Sequence, residues 1–392
     1  MSTRASHYSA NTGDLADLTD VATALIHHPY QPPGGFETVQ PGVHKASTVL
    51  FENTAALKTR QWKDKSGYTY GLHGTPTTFT LEERLATLEG GLQTLLVPSG
   101  LAAIALVDMA LLRAGDEVLI PDNAYGPGKD FARGELAHWG ITHRVYDPQD
   151  PASLAAQINE RTKLVWLEAA GSVTLEFPDL PGLLAVARAH PNLVTVLDNT
   201  WGAGLAFDAF RLGQTPDGDP FGVDVTIHAL TKYPSGGGDV LMGAVVTRDA
   251  TLHHRLKMTH MRLGLGVGAN DAELVLRGLP SLAVRYAAHD ASTRQIAQWL
   301  TQQPEVTQVL HPALPGSPGH AHFLQTCRAA GGLVSMVFEA HRHPSAQVEA
   351  FVDALKLFKI GYSWGGPLSL VMPYELQGMR HHGPLAGMQG TL

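Results

Sequence analysis

The sequence predicts an α/β protein whose mostly parallel sheet is covered by helices on both faces. Three observations carry that prediction. Short apolar runs at residues 95–97, 118–120, 164–167 and 193–197 have the length of strands buried on both sides. Segments of helical length, at 101–113, 126–138 and 180–190, alternate with them. Each run also stops at polar or glycine residues: Pro98-Ser99-Gly100, Pro121-Asp122-Asn123, Glu168 and Asp198-Asn199-Thr200. Open α/β sheets bind ligands beyond the carboxyl ends of their strands, so these residues are expected to converge on one crevice.

Taken in order, residues 1–74 are rich in Pro, Gly, Thr and His (HHPYQPPGGFETVQPG) and show little periodicity, which predicts an extended arm with short helical pieces. Residues 75–278 form the predicted large domain. Its last strands are DVTI at 224–227 and VLMGAVVT at 240–247. A helical stretch from Asp271 runs past Pro280, where the missing N–H predicts a break or kink. Residues 279–392 form a smaller α+β domain, with a strand near 333–338, a helix near 345–357 and a strand near 369–372. No internal repeat or low-complexity tract interrupts this order.

Composition narrows the partners. A chain of 392 residues with a formal net charge of -8 and no run of Lys and Arg is poorly suited to nucleic acid, whose phosphates need a local cationic excess. A small molecule is the expected partner. With one cysteine, Cys327, the chain can form neither an intrachain disulfide nor a thiolate zinc site, which fits a reducing compartment. The first twenty residues lack the apolar core of a signal peptide, and residues 101–112 are too short to span a bilayer and contain Asp108. A cytoplasmic location without membrane contact is expected.

Chemistry gathers around IHALTKYPSGGGDVLMG, where Lys232 stands just beyond an apolar strand. An amine there is exposed, paired or kept for its reactivity, since burial without a partner costs several kcal/mol. The other crevice residues favour reactivity. A lysine forming a Schiff base needs a desolvated site that lowers its pKa. Asp198, at a strand end, can hold a ring nitrogen protonated. Ser99-Gly100, opening a helix, offers N–H groups to a phosphate. Tyr125 can stack on an aromatic ring. Together these four demands describe pyridoxal 5'-phosphate.

The motifs YGLHGTPT, LEGG, VPSGLAA, VLDNTW, TKY, HPALPGSPGH and YSWGG, spread from ASTVLF at 46–51 to the last residue, resemble those of the Cys/Met-metabolism family of pyridoxal-phosphate enzymes of fold type I. The resemblance implies a mostly parallel seven-stranded sheet between helices. It implies Lys232 as the Schiff-base lysine, Asp198 on the pyridine nitrogen and Tyr125 on the ring, with Lys232 and Tyr125 moving protons. Ser99, Gly100, Leu101 and Thr231 would hold the phosphate, and Tyr70 would reach the phosphate and substrate of a neighbouring subunit in a homotetramer. Ser363 and Trp364 are the implied substrate-pocket residues.

The stretches 169–174 (AAGSVT) and 363–366 (SWGG) are similar to the β-lyase pattern of that family. They imply carbon–sulfur β-elimination from a thioether amino acid such as cystathionine. The alternatives are a γ-lyase or γ-synthase of the same family, and a catalytically silent binding or regulatory protein. Three departures bear on this. Leu72 stands where the family commonly has arginine, with His73 the candidate substitute cation. Ala229 replaces a frequent serine. In the family Gly390-Thr391-Leu392 would run into a strand whose arginine binds the substrate carboxylate and then a final helix, so the small domain is expected to lack both here.

Other signals carry less. Residues 264–269 (GLGVGA) fit a loose dinucleotide pattern but follow a helix-like segment rather than a strand. Gly236-Gly237-Gly238 is explained equally well by close backbone approach. The pairs His320/His322 and His341/His343 have the spacing of two ligands on one strand face, yet no Cys or carboxylate cluster accompanies them, and no metal is expected.

Overall fold

The computed structural model describes Gly35, residues 38–215 and residues 217–391. Of the predicted arm, residues 1–34, 36 and 37 lie outside the described residues. Nine strands precede residue 250: β1 (Gln93–Val97), β2 (Glu117–Pro121), β3 (Thr142–Tyr146), β4 (Thr162–Glu168), β5 (Val194–Asp198), the short pair β6 (Gly213–Gln214) and β7 (Pro220–Phe221), β8 (Val225–Ala229) and β9 (Gly243–Thr247). Seven of them build one sheet in the order β1-β9-β8-β5-β4-β2-β3. The pairings from β8 through β3 are parallel, while β9 runs antiparallel to both β8 and β1.

This matches the predicted mostly parallel sheet. The chain leaves β8 at its carboxyl end, passes through residues 230–242 and returns as β9, so Lys232 is held at the rim where β2, β4 and β5 also end. The predicted strand from residue 240 is shorter than expected, because only residues 243–247 pair.

Alternation along the strands separates two cores. Leu119, Val165, Leu167 and Leu197 pack on one face with Phe177, Leu183 and Trp201. Val118, Ile120, Trp166, Val196 and Ile227 pack on the other with Val107 and Leu111 of the helix Gly100–Leu111. Strands enclosed on both faces read as continuous apolar runs, which is why these were visible in sequence. The edge strand β3 (THRVY) was not predicted. Only Tyr146 at its end is fully buried, and Arg144 on it forms a two-point pair with Glu117 of β2 at 2.9 and 2.7 Å.

One polar group enters the second core. Asp108, on the helix Gly100–Leu111, is 2% exposed and accepts a 2.8 Å hydrogen bond from Trp166 Nε1. Burial pushes its carboxyl up to about 7. The folded state therefore holds this proton more tightly than the unfolded chain, and stability falls as pH rises from about 4 through 7. A shift of about 3 units corresponds to a penalty on the order of 3–4 kcal/mol above pH 7. Asp108→Asn keeps the acceptor for Trp166, and urea denaturation at pH 8 is expected to show a gain of that order. At pH 4 the variant and the parent should agree.

Beyond the large sheet, the helices Ala250–Leu263 and Ala269–Gly278 flank residues 264–268, so the glycine-rich stretch joins two helices and follows no strand. The break predicted at Pro280 is a 3-10 turn, Leu279–Ser281, before the helix Leu282–Leu300. Three strands follow in an antiparallel sheet, β10 (Gln308–Leu310), β11 (Ser335–Glu339) and, last in the chain, β14 (Gly390–Thr391). Between β11 and β14 come the helix Ser345–Asp353 and a parallel pair, β12 (Lys359–Ile360) and β13 (Leu370–Val371). Among the described residues no helix is long and apolar enough to cross a membrane.

Candidate active site

The crevice floor is made by strand ends. Glu168 and Asp198 lie opposite one another in the β4–β5 register. Thr200 N–H donates to Asp198 Oδ1 at 2.9 Å, and Ala229 N–H donates to Thr200 Oγ1 at 2.9 Å, which ties the end of β5 to the end of β8. Burial raises the pKa of Asp198, opposed by its Thr200 hydrogen bonds and by the cations His228 and Lys232. Burial and the neighbouring Asp198 charge push Glu168 well above the usual carboxylate range. Its Oε2 accepts the Tyr125 N–H at 2.7 Å.

Lys232 sits in a turn closed by its own N–H to Ala229 O at 3.2 Å. The next residue, Tyr233, is fully buried and fixes that turn. Its hydroxyl accepts Gly332 N–H at 2.6 Å, its carbonyl accepts from Arg285 at 2.7 Å, and its ring meets Tyr286 edge-on at 4.7 Å. Lys232 Nζ donates to Ser363 Oγ at 2.9 Å and lies 5.4 Å from the Trp364 ring centroid. Burial lowers the amine pKa against the opposing pull of Asp198, so more of it is free base at neutral pH than in water. Trp364 also packs edge-on against Tyr233 at 5.2 Å, which makes it both a packing anchor and a wall beside the amine.

A cradle for an anion lies next to β8. Ser99 caps the helix Gly100–Leu111 by accepting Ala102 N–H at 3.0 Å, and its hydroxyl proton stays available. A Cβ on Gly100 would come within 2.7 Å of the Ala229 Cβ, so only glycine lets this turn approach β8 so closely. Gly243 has the same reason, since its Cβ would meet Ser99 O at 2.3 Å. The first N–H groups of a helix have no partner within it. These donors suit a phosphate, and Thr231 follows two residues after Ala229, which the Gly100 turn approaches. Together with the half-buried amine and the strand-end carboxylate, the residues present fit pyridoxal phosphate.

Tyr125 is 44% exposed and begins the helix Gly126–Phe131. Burial, then the Asp198 and Glu168 charges, raise its phenol pKa. Thus Lys232, Asp198, Tyr125, Ser363 and Trp364 bear on one another, and the Ser99-Gly100 turn adjoins β8 on the same rim. Tyr70 stands apart: it forms a bridge with Thr48, and its hydroxyl accepts from Ser47 at 3.2 Å.

His73, the candidate substitute for the arginine that Leu72 replaces, lies within a set of contacts in its own chain. Its ring stacks on Trp62 at 4.8 Å and its Nδ1 lies 2.8 Å from Thr69 Oγ1. Burial and the positive Lys257 and Arg60 hold its pKa down. His320 and His322, spaced like two ligands on one strand face, do not lie on a strand. Both lie on the helix His320–Thr326, where residues two apart point in different directions, and His320 Nδ1 contacts Pro312 O at 2.8 Å. Among the described residues no group of three or more His, Cys, Asp or Glu side chains is arranged to hold a metal ion.

Sequence reasoning placed Glu168 at a strand end without giving it a role, and missed the Glu89–His228–Asn199 cluster behind Asp198. The apolar flanks of Glu168 signalled its position. The cluster had no comparable signal, because its members come from three separate elements.

The profile of the Cys/Met metabolism PLP-dependent enzymes matches residues 22–383. A protein described as a putative cystathionine beta-lyase from Rhizobium johnstonii is 40% identical over 360 residues, covering 91% of this chain and 87% of that protein. The cystathionine beta-lyase of Bordetella avium is 38% identical, covering 88% of this chain and 86% of its own. Among solved structures, a cystathionine gamma synthase from Xanthomonas oryzae pv. oryzae, in complex with aminoacrylate and cysteine, has a TM-score of 0.76 and 34% identity. It covers 88% of this chain and 83% of that one.

Proposed function

Since the chain belongs to the Cys/Met metabolism PLP-dependent enzyme family, we propose that it is a carbon–sulfur β-lyase that cleaves cystathionine to homocysteine, pyruvate and ammonia. The observation that carries this reading is the Lys232 amine, half-buried beside Asp198, hydrogen-bonded to Ser363 and walled by Trp364. Two relatives named as cystathionine beta-lyases support the β reading over the γ reading, as does the AAGSVT stretch running from β4 past Glu168.

Bound pyridoxal phosphate supplies the electron sink that makes loss of the Cα proton feasible. In this reading Lys232 takes that proton at Nζ, helped by its depressed pKa, and Ser363 Oγ orients the amine. Asp198 keeps the ring nitrogen protonated. Tyr125 stacks on the ring or passes a proton, with its backbone fixed by Glu168. Ser99, Thr231 and the amides of Gly100 and Leu101 hold the phosphate, while Trp364 excludes water on one side. The thioether carbon–sulfur bond at Cβ breaks, the thiolate leaves with a proton, and the released enamine takes up water to give pyruvate and ammonia. Tyr70 serves the site of a second copy in a cytoplasmic homotetramer.

The γ reading remains the alternative because a cystathionine gamma synthase shares the architecture at 34% identity. One incubation separates the two. Purified protein with pyridoxal phosphate and cystathionine should release pyruvate and homocysteine, and borohydride reduction should leave the cofactor attached to the Lys232 peptide. Release of 2-oxobutyrate and cysteine would replace the β reading with a γ-lyase. A colourless protein that takes up no cofactor would end the enzyme reading.

A further inference from the structure

Behind the crevice lies a buried polar cluster that the chemistry above does not use. His228, on β8, places Nε2 2.6 Å from Glu89 Oε1, with the two side chains 2% and 1% exposed. Glu89 is the last residue of the helix Pro76–Glu89. Asn199, just beyond β5, donates Nδ2 to both Glu89 oxygens at 3.1 Å. We propose that His228, paired with Glu89, is a positioning residue that acts with Asn199 to fix Asp198 against the cofactor ring. The proposal rests on the assignment of Asp198 made above.

The cluster joins the three elements that must agree for that role. Asn199 directly follows Asp198, and its N–H donates to Ile227 O at 3.0 Å. His228 is the next residue on β8, four before Lys232. Glu89 thus clamps the end of the aspartate strand to the end of the strand that leads to the lysine. Even the surrounding backbone leaves room for it: Gly204, at φ +69°, has no Cβ where one would sit 2.7 Å from Glu89 Oε1.

Charge follows from the geometry. Two ionisable groups this close, away from water, are stable as an ion pair and costly as an isolated charge. The neighbouring His228 charge, aided by the Asn199 hydrogen bonds, holds the Glu89 carboxyl below its usual range despite burial. Glu89 from the helix and Asp198 from β5 are the charged groups bearing on the imidazole, and both hold its pKa up against burial. The resulting imidazolium in turn favours the ionised form of Asp198. A purely structural cluster would influence stability and leave the cofactor unaffected.

His228→Gln and Glu89→Gln each remove the ion pair while keeping polar side chains of similar size. Pyridoxal phosphate titrated into the apoproteins, followed by visible absorbance across pH, is expected to bind at least about tenfold more weakly in both. The pH midpoint of the bound chromophore should move in the same direction in both. Glu89→Asp, which keeps the charge, should lie between them and the parent. Asp198→Asn is the reference. If it departs strongly while His228→Gln and Glu89→Gln keep parental affinity and midpoint, the cluster is only structural and the proposal is overturned. If Asp198→Asn itself changes nothing, the assignment of Asp198 fails and the proposal with it. Should His228→Gln fail to fold, the two Glu89 variants carry the same comparison.

Discussion

Lys232→Ala is expected to lower turnover of cystathionine by at least about 10³-fold, within the range that a positioned acid–base group supplies. The amine is the one side chain in the crevice that combines partial burial, a lowered pKa and a hydrogen bond to a pocket hydroxyl. The fold should survive, because the turn is held by Tyr233, whose bonds to Gly332 and Arg285 do not involve the amine. A melting temperature close to that of the parent would show this. Lys232→Arg sharpens the result. Guanidinium keeps the charge, and therefore any attraction to Asp198, but does not give up a proton at working pH. Both variants should be equally inactive and should yield no cofactor-labelled peptide after borohydride. Turnover above a tenth of the parent in Lys232→Ala would remove this lysine from the chemistry and favour a site elsewhere.

The residues that could be read from sequence are those whose position follows from a strand stopping. Lys232, Asp198 and Ser99-Gly100 each follow an apolar run, and the parallel sheet then brings them to one rim. What sequence could not show depends on distant partners. Glu89 meets Asn199 across 110 positions, so neither looked like more than a helix end and a turn residue. Nor could sequence show that the His73 ring stacks on Trp62 and meets Thr69. The strands β3 and β10 were missed for a different reason. An edge strand needs only part of its length buried, and a strand of three residues is too short to show periodicity. The helix holding His320 and His322 was hidden by the Pro and Gly that precede it, although Gly319 at its start takes a left-handed conformation that glycine adopts readily.

Arg380 is the second residue whose loss should be severe, and nothing in GMRHHG marks it as buried. Its side chain is 4% exposed, with Nε 2.5 Å from Glu176 Oε1, and Nη2 donates to Ser172 O at 2.5 Å and to Thr174 Oγ1 at 2.6 Å. The next two amides, His381 and His382, donate to Asp122 Oδ2 at 2.6 and 2.9 Å. This segment near the end of the described chain therefore grips two crevice loops, one after β2 and one after β4. Ser172 N–H in turn bonds Asn123 O at 2.9 Å, two residues before Tyr125. Arg380→Ala would leave the Glu176 carboxylate buried without its cation, a change that costs about 3–5 kcal/mol. Urea denaturation should show that loss. Adding Glu176→Gln should restore part of it by removing the stranded charge, so the double variant should be more stable than Arg380→Ala alone. Turnover, measured where the single variant is still folded, should also fall, because a displacement of about 1 Å near the reacting groups can cost about 10²-fold. A destabilisation below about 1 kcal/mol would mean that Glu176 finds water or another donor. The grip on the crevice loops would then reside in the Asp122 contacts, where Asp122→Ala would reproduce the loss of turnover.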